Sequence, residues 1–227
     1  MKFNLPFIGF LLIQASLQAQ LGLHGGIQFT NAPEWNILDR SNNRVTELPG
    51  TGWFAAVDYA FRLPNTRIEF LPELHFAAYQ ADVIDLGDLD ARFYSGFLNV
   101  NVYILDLKGD CDCPTWSKSG NTLTKGLFLQ LSPGYSLIYG NVKTTEILYK
   151  GRSTNPSLAL GAGLDLGVSE RMTITPYAGV RYFPNAIWPG LEEAIARDIS
   201  IGDRVTHNES PLTQIYTGIR IGFQIRR

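Results

Sequence analysis

From Leu21 onward, apolar and polar side chains alternate with a period of two, which marks half-buried strands rather than helices. The clearest stretch runs from Ser157 to Val168. Leu158, Leu160, Ala162, Leu164, Leu166 and Val168 share one face, and Ser157, Ala159, Gly161, Gly163, Asp165 and Gly167 share the other. The last segment repeats the pattern, with Ile215, Thr217, Ile219, Ile221, Phe223 and Ile225 against Tyr216, Gly218, Arg220, Gly222 and Gln224. One apolar face and one face of Gly, Arg, Gln and Asp fit a barrel with lipid outside and a polar interior. A water-soluble barrel of the lipocalin type would turn the apolar face inward.

Eight such segments are predicted, at 21–30, 51–62, 67–79, 91–106, 125–138, 155–168, 172–183 and 211–225. The expected fold is all-β: a closed antiparallel up-and-down transmembrane β-barrel. Closure is a physical requirement, because an open sheet edge in lipid leaves backbone groups unpaired. The connections alternate in length. Leu63-Pro64-Asn65-Thr66 and Ser169-Glu170-Arg171 are tight turns, whereas 31–50, 80–90, 139–154 and 184–210 are long. Tight turns belong on the periplasmic side and long loops outside. The long connection 107–124 breaks that alternation.

Pro72, Pro133 and Pro176 lie within segments, where proline removes a ladder donor and marks a bulge or an edge. Bulges are therefore expected there. Aromatic residues gather near segment ends: Trp53, Tyr79, Tyr94, Tyr139 and Tyr182 toward the outer rim, Phe61, Tyr103 and Phe223 toward the inner one. That placement suits interfacial girdles.

Composition sharpens this picture. Charged residues make up 18% of the chain, below the ~25% usual for soluble proteins, and the net charge of −2 leaves no basic footprint for nucleic acid. The N-terminus reads as an export signal. Lys2 precedes an apolar run from Leu5 to Ile13, and Ala19 stands before Gln20. The run is shorter than the ~20 residues a transmembrane helix needs. The expected division is a signal peptide at 1–19, cleaved on export, and an outer-membrane barrel domain at 20–227.

With these features the chain resembles the small outer-membrane β-barrel family (OmpA- and OmpX-like, porin superfamily), of the kind found in Bacteroidetes-type bacteria. The resemblance rests on the Gln20 start, Pro72-Glu73-Leu74, and Lys125-Gly126-Leu127-Phe128-Leu129-Gln130-Leu131 leading into Pro133-Gly134. The Gly-x-Gly sixth segment and the ending Gly218-Ile219-Arg220-Ile221-Gly222-Phe223 add to it. It implies an integral outer-membrane protein in contact with lipid, assembled by the barrel insertion machinery. The chain departs from the family in ending Arg226-Arg227, with its last aromatic, Phe223, four positions in.

Candidate chemistry is sparse. Cys111-Asp112-Cys113-Pro114 admits a tight local disulfide between Cys111 and Cys113, a metal site with Asp110 and Asp112, or free thiols. The predicted inward set is His24, Asp58, Glu69, Glu73, His75, Asn99, Asn101, Gln130, Asp165, Arg181, Arg220 and Gln224. An eight-stranded barrel is only wide enough for side chains to fill it, so Glu73, Arg181 and Arg220 are expected in one lumen charge network. His207-Asn208-Glu209-Ser210 brings a base, an acid and a hydroxyl together, yet adjacency in sequence is not triad geometry. Trp188-Pro189-Gly190 precedes a short amphipathic stretch, Leu191 to Asp198, read as a loop anchored on the rim. No cofactor, catalytic residue or metal is assigned. The leading expectation is a non-enzymatic barrel, structural or presenting loops to a surface partner. A small-molecule channel or binder comes second, and a lipid-modifying enzyme third.

Overall fold

Alternation of apolar and polar residues organises one closed sheet in the computed structural model, which describes residues 19–35, 37–39, 44–46, 48–62, 66–83, 87–105, 126–143, 148–169, 171–192 and 207–225. The strands are β1 (Ala19–Asn31), β2 (Thr51–Arg62), β3 (Ile68–Val83), β4 (Gly87–Val102), β5 (Leu127–Lys143), β6 (Leu148–Leu164), β7 (Met172–Ile187) and β8 (Glu209–Ile225). Leu166–Gly167 continues β6 beyond a break at Asp165. Every strand pairs antiparallel with its neighbours in sequence, and β8 closes on both β7 and β1. No open edge is left for lipid to meet. Ala19 faces Ile225 at one end, beside the short β2–β3 and β6–β7 connections. That end is periplasmic.

The outward face is apolar. On β3 it runs Ile68, Phe70, Pro72, Leu74, Phe76, Ala78, and turns polar at Gln80. Ten residues of tilted strand rise about 25 Å, the height of a barrel's lipid-facing band. Leu74 is 70% exposed, Leu160 65% and Ile215 57%. Water would not tolerate so continuous an apolar belt, whereas a bilayer covers it. The chain is an outer-membrane β-barrel.

Several expectations need correction. The strands reach further past the membrane than their apolar stretches. β3 and β4 are joined across 84–86 and β5 and β6 across 144–147, so the loops placed at 80–90 and 139–154 are largely strand. Polar residues such as Asn141, Lys143 and Lys150 read as loop, but their backbones still pair. Nor do the three prolines bulge. Pairing keeps the same register on both sides of Pro72, Pro133 and Pro176. Each side chain points outward, and the ladder skips bridges only toward one neighbour, where the missing N–H would have donated. The register shift lies instead in β7 between Phe183 and Ala186. Tyr79 and Tyr103, expected in the girdles, are 1% and 0% exposed and face inward. Strand parity puts Tyr79 on the face of Glu73 and His75. Trp53, Tyr94 and Tyr182 do face outward, each about half exposed.

The segment 31–50 holds a 3-10 turn, Pro33–Trp35, and a short hairpin of Ile37–Asp39 with Arg44–Thr46. Residues 1–18, the Cys111–Cys113 pair and the 193–206 part of the last outer loop lie outside the described residues, so the signal-peptide and disulfide expectations do too.

Candidate functional site: the filled lumen

Inward positions give a lumen with a charged, polar lower part and an upper part where large rings pack beside buried amides such as Gln28, Gln214 and Asn155. In the lower part β1 is the strand between β2 and β8, and its inward residues run Gln20, Gly22, His24. Gly22 has no side chain, so Asp58 of β2 and Arg220 of β8 meet across it; a Cβ there would strike both. Arg220 Nε and Nη2 donate to the two Asp58 carboxylate oxygens at 2.7 and 2.8 Å. This fork-on-carboxylate geometry is among the strongest charge-assisted arrangements. Arg220 Nη1 donates to Gln20 Oε1 at 2.8 Å, and Gln20 Nε2 donates to Thr173 Oγ1 at 3.1 Å. His24 Nε2 bonds Asp58 Oδ2, and its Nδ1 lies 3.0 Å from the Tyr177 hydroxyl.

A second cluster surrounds Glu73. His75 Nδ1 lies 3.1 Å from Glu73 Oε1, Asn99 Nδ2 donates to Oε2, and Ser132 Oγ donates in turn to Asn99 Oδ1. At the periplasmic mouth, Arg62 donates to Glu69 at 2.7 Å, Thr175 donates to Asp165, and the Tyr103 hydroxyl bridges Glu69 and Asp165. Gln130 donates to Asn101 beside them.

The three residues expected in one network thus share the lumen but have different immediate partners. Arg220 pairs with Asp58, and Glu73 is bonded by His75 and Asn99. Arg181 makes no hydrogen bond to a carboxylate among the described residues. Its guanidinium carbon sits 3.6 Å over the Phe97 ring and 5.1 Å from that of Tyr216, although it is only 5% exposed. A weakly hydrated guanidinium stacks on aromatic faces where an ammonium would not. Asp58 was among the inward residues but outside the expected network. Its role follows from Gly22, a gap between two inward polar residues, together with a closure the sequence does not state.

Above this level large aromatic rings form a stopper, with Gln214 Nε2 donating to the Tyr79 hydroxyl at 2.8 Å. Tyr79, Phe93 and Phe183 stack edge to face, with centroids 5.1 and 6.1 Å apart. Over them Trp35, from the first outer loop, and Trp188, from the last, meet edge-on at 5.5 Å. Both are fully buried, along with Leu48 and Leu191. Trp188 packs against β5 at Gly140, where any side chain would overlap its indole. Its backbone N–H donates to Asn208 at 2.7 Å, tying the two ends of that loop together. Trp188 and Leu191, expected to anchor a loop on the rim, are buried inside it, and the rest of that expected stretch, 193–198, lies outside the described residues. Sequence reasoning missed Trp35, whose Pro33-Glu34-Trp35 turn was the available signal.

A cavity of about 20 Å³ lies among His24, Glu73, Asn101, Asp165 and Tyr177, room for about one water. Facing the lumen, four carboxyl groups, Asp58, Glu69, Glu73 and Asp165, stand among three guanidiniums, Arg62, Arg181 and Arg220, so both signs are present. No group of three His, Cys, Asp or Glu side chains gathers as a metal set among the described residues. At the start of β8, just after the last outer loop, Ser210 Oγ donates to the Pro211 carbonyl and accepts from Glu34 N–H, while Glu209 accepts from Asn185. Those contacts hold the loop; they do not align a nucleophile with His207.

No family model matches the chain, and no curated protein matches it in sequence. Solved structures of similar shape include Neisserial surface protein A (NspA), 13% identical at TM-score 0.45, covering 89% of this chain and 95% of that one. Ail of Yersinia pestis is 14% identical at TM-score 0.44, covering 91% and 100%. A major outer membrane protein of Thermus thermophilus is 14% identical at TM-score 0.48, covering 90% and 99%. At these values the barrel rests on this chain's own closure and register.

Proposed function

We propose that this outer-membrane barrel is a non-enzymatic, non-conducting envelope protein that holds its extracellular loops in place for structural contacts or a surface partner. The observation that carries this reading is closure of the lumen at two heights. The Asp58–Arg220 and Glu73 clusters fill the lower part, and the Trp35–Trp188 stopper fills the upper. A conduit needs a continuous wet path and usually one dominant sign of charge, whereas the described inward residues pack across the lumen at both heights and carry charges of both signs. The same stopper anchors the first and last outer loops to the barrel wall, giving a rigid base to whatever they present. Export through a signal peptide cleaved after Ala19, and assembly by the barrel insertion machinery, belong to this reading.

Solute uptake into proteoliposomes tests it. Vesicles carrying the folded barrel are expected to swell in small sugars no faster than protein-free vesicles. Swelling that scales with protein content would favour the channel reading.

A further inference from the structure

Immediately above the lipid band, on the outward face of β4, β5 and β6, polar residues form a register-defined grid. Arg92, Tyr139 and Arg152 lie in one row, and Asp90, Asn141 and Lys150 in the next. Lys143, opposite Asp88, stands one row higher. Arg92 is 3.5 Å from Asp90, and Asp90 accepts from Asn141 at 2.6 Å. Lys143, Lys150 and Arg152 are exposed and make no ion pair among the described residues. At the same height no described cation faces outward on β1, β2, β7 or β8. The cluster is one-sided, on a chain whose net charge is −2.

Its position selects its ligand. Lysine and arginine facing lipid cost ~2–4 kcal/mol at the midplane but close to nothing at the interface, so this row marks the headgroup layer. Tyr139 of that row meets Tyr94 of the row below edge-on at 5.6 Å, and further down Tyr135 and Leu158 are outward and exposed. They form an apolar floor on which an acyl chain can lie. The grid also borders an open groove of about 670 Å³ whose lining includes Asp88, Asp90, Arg92, Asn141, Lys143 and Lys150 and reaches Ala81 and Leu89 of the inner face; Arg152 stands outside the lining, one row below Lys150. Cations suit phosphate oxygens, and the carboxylates and amide suit hydroxyl groups.

We propose that this groove binds the phosphorylated sugar headgroup of an outer-leaflet lipid. Lys143 and Lys150 hold its phosphate from within the groove and Arg152 from the row below, Asp88 and Asn141 hold its hydroxyls, and the tyrosine floor its first acyl segments. The site lies outside the lumen and is independent of whether the barrel conducts.

Native mass spectrometry of the barrel, released from mixed micelles containing diphosphorylated lipid A or neutral phosphatidylcholine, tests this. Wild type is expected to retain the phosphorylated lipid and not the neutral one. The triple variant Lys143→Gln/Lys150→Gln/Arg152→Gln is expected to retain it at least about tenfold less, while Arg171→Gln, at the periplasmic turn, behaves as wild type. Heat-modifiable gel mobility reports whether each variant is folded. Should the triple variant not fold, raising salt on wild type provides the same test, since screening should release the lipid. Equal retention by the triple variant, salt-independent retention, or equal capture of phosphatidylcholine would overturn the proposal. So would heparin, as a soluble polyanion, or an acyl-free phosphorylated disaccharide displacing the lipid at equal concentration, since the site would then not be one for lipid.

Discussion

Asp58 and Arg220 stand on strands that are not neighbours, and they meet in a two-point ion pair above Gly22 of the strand between them. Asp58's side chain is fully buried and Arg220's is 7% exposed. Neither charge can fall back on water. Stripping one partner from such a pair costs about 3–5 kcal/mol, whereas removing both can be nearly neutral. Arg220→Ala is therefore expected to destabilise the barrel far more than Ile219→Ala on the lipid face. Asp58→Leu combined with Arg220→Leu should recover part of the loss. Equilibrium unfolding in denaturant, with the barrel in lipid vesicles, measures this; equal losses for Arg220→Ala and Ile219→Ala would contradict it.

Arg181 offers a contrast inside the same lumen. Its guanidinium rests on Phe97 and Tyr216 rather than on a carboxylate hydrogen bond. Cation–ring contacts are worth about 0.5–2 kcal/mol. Arg181→Met, which keeps most of the volume, should cost clearly less than Arg220→Met in the same unfolding assay. A larger loss at Arg181 would mean that its charge matters to Glu73 more than its stacking does.

The Tyr103 hydroxyl is 2.7 Å from Glu69 Oε2 and 2.6 Å from Asp165 Oδ2. A phenol donates one proton only, so both contacts are hydrogen bonds only if one carboxyl carries a proton and donates it to the phenol oxygen. Arg62 already bonds Glu69, which leaves Asp165 as the proton carrier. Infrared spectroscopy of the folded barrel should show a protonated-carboxyl carbonyl band at neutral pH, lost in Asp165→Asn. That variant should remain folded, because an amide N–H can replace the donor. Persistence of the band in Asp165→Asn would place the proton elsewhere.

How much of this was legible in the sequence depended on the physics each feature obeys. The strands and their faces were legible because side chains alternate strictly, so Glu73, Arg181 and Arg220 could be placed inward from parity alone. Tyr79 and Tyr103 were misread because closeness to a segment end was allowed to outweigh that parity. The prolines were misread because their cost depends on which neighbour the missing N–H would have faced. The partner of Arg220 was not legible at all. It is set by the stagger at which β8 closes on β1, and no local pattern encodes that. Trp35 and Trp188 come together for the same reason, from loops more than a hundred residues apart in the chain.

The Trp35–Trp188 contact and the close fit of Trp188 on Gly140 give the stopper its own test. Gly140→Val would drive a side chain into the indole, and Trp188→Ala would remove a buried ring worth about 3–5 kcal/mol. Both should shift tryptophan emission and expose the first and last outer loops to protease, while leaving barrel closure in the membrane intact. Unchanged protease resistance in both variants would detach those loops from the stopper.

Closure of the lumen is the central claim, and single-channel recording in a planar bilayer reaches it most directly. Wild-type protein should give no stable conducting steps under an applied potential. Trp35→Ala/Trp188→Ala should remain nearly silent, because the Asp58–Arg220 and Glu73 clusters still fill the lower lumen. Combining that pair with Asp58→Ala and Arg220→Ala should produce measurable current if the barrel remains folded. Large, steady unitary currents from the wild-type barrel would contradict the closed lumen.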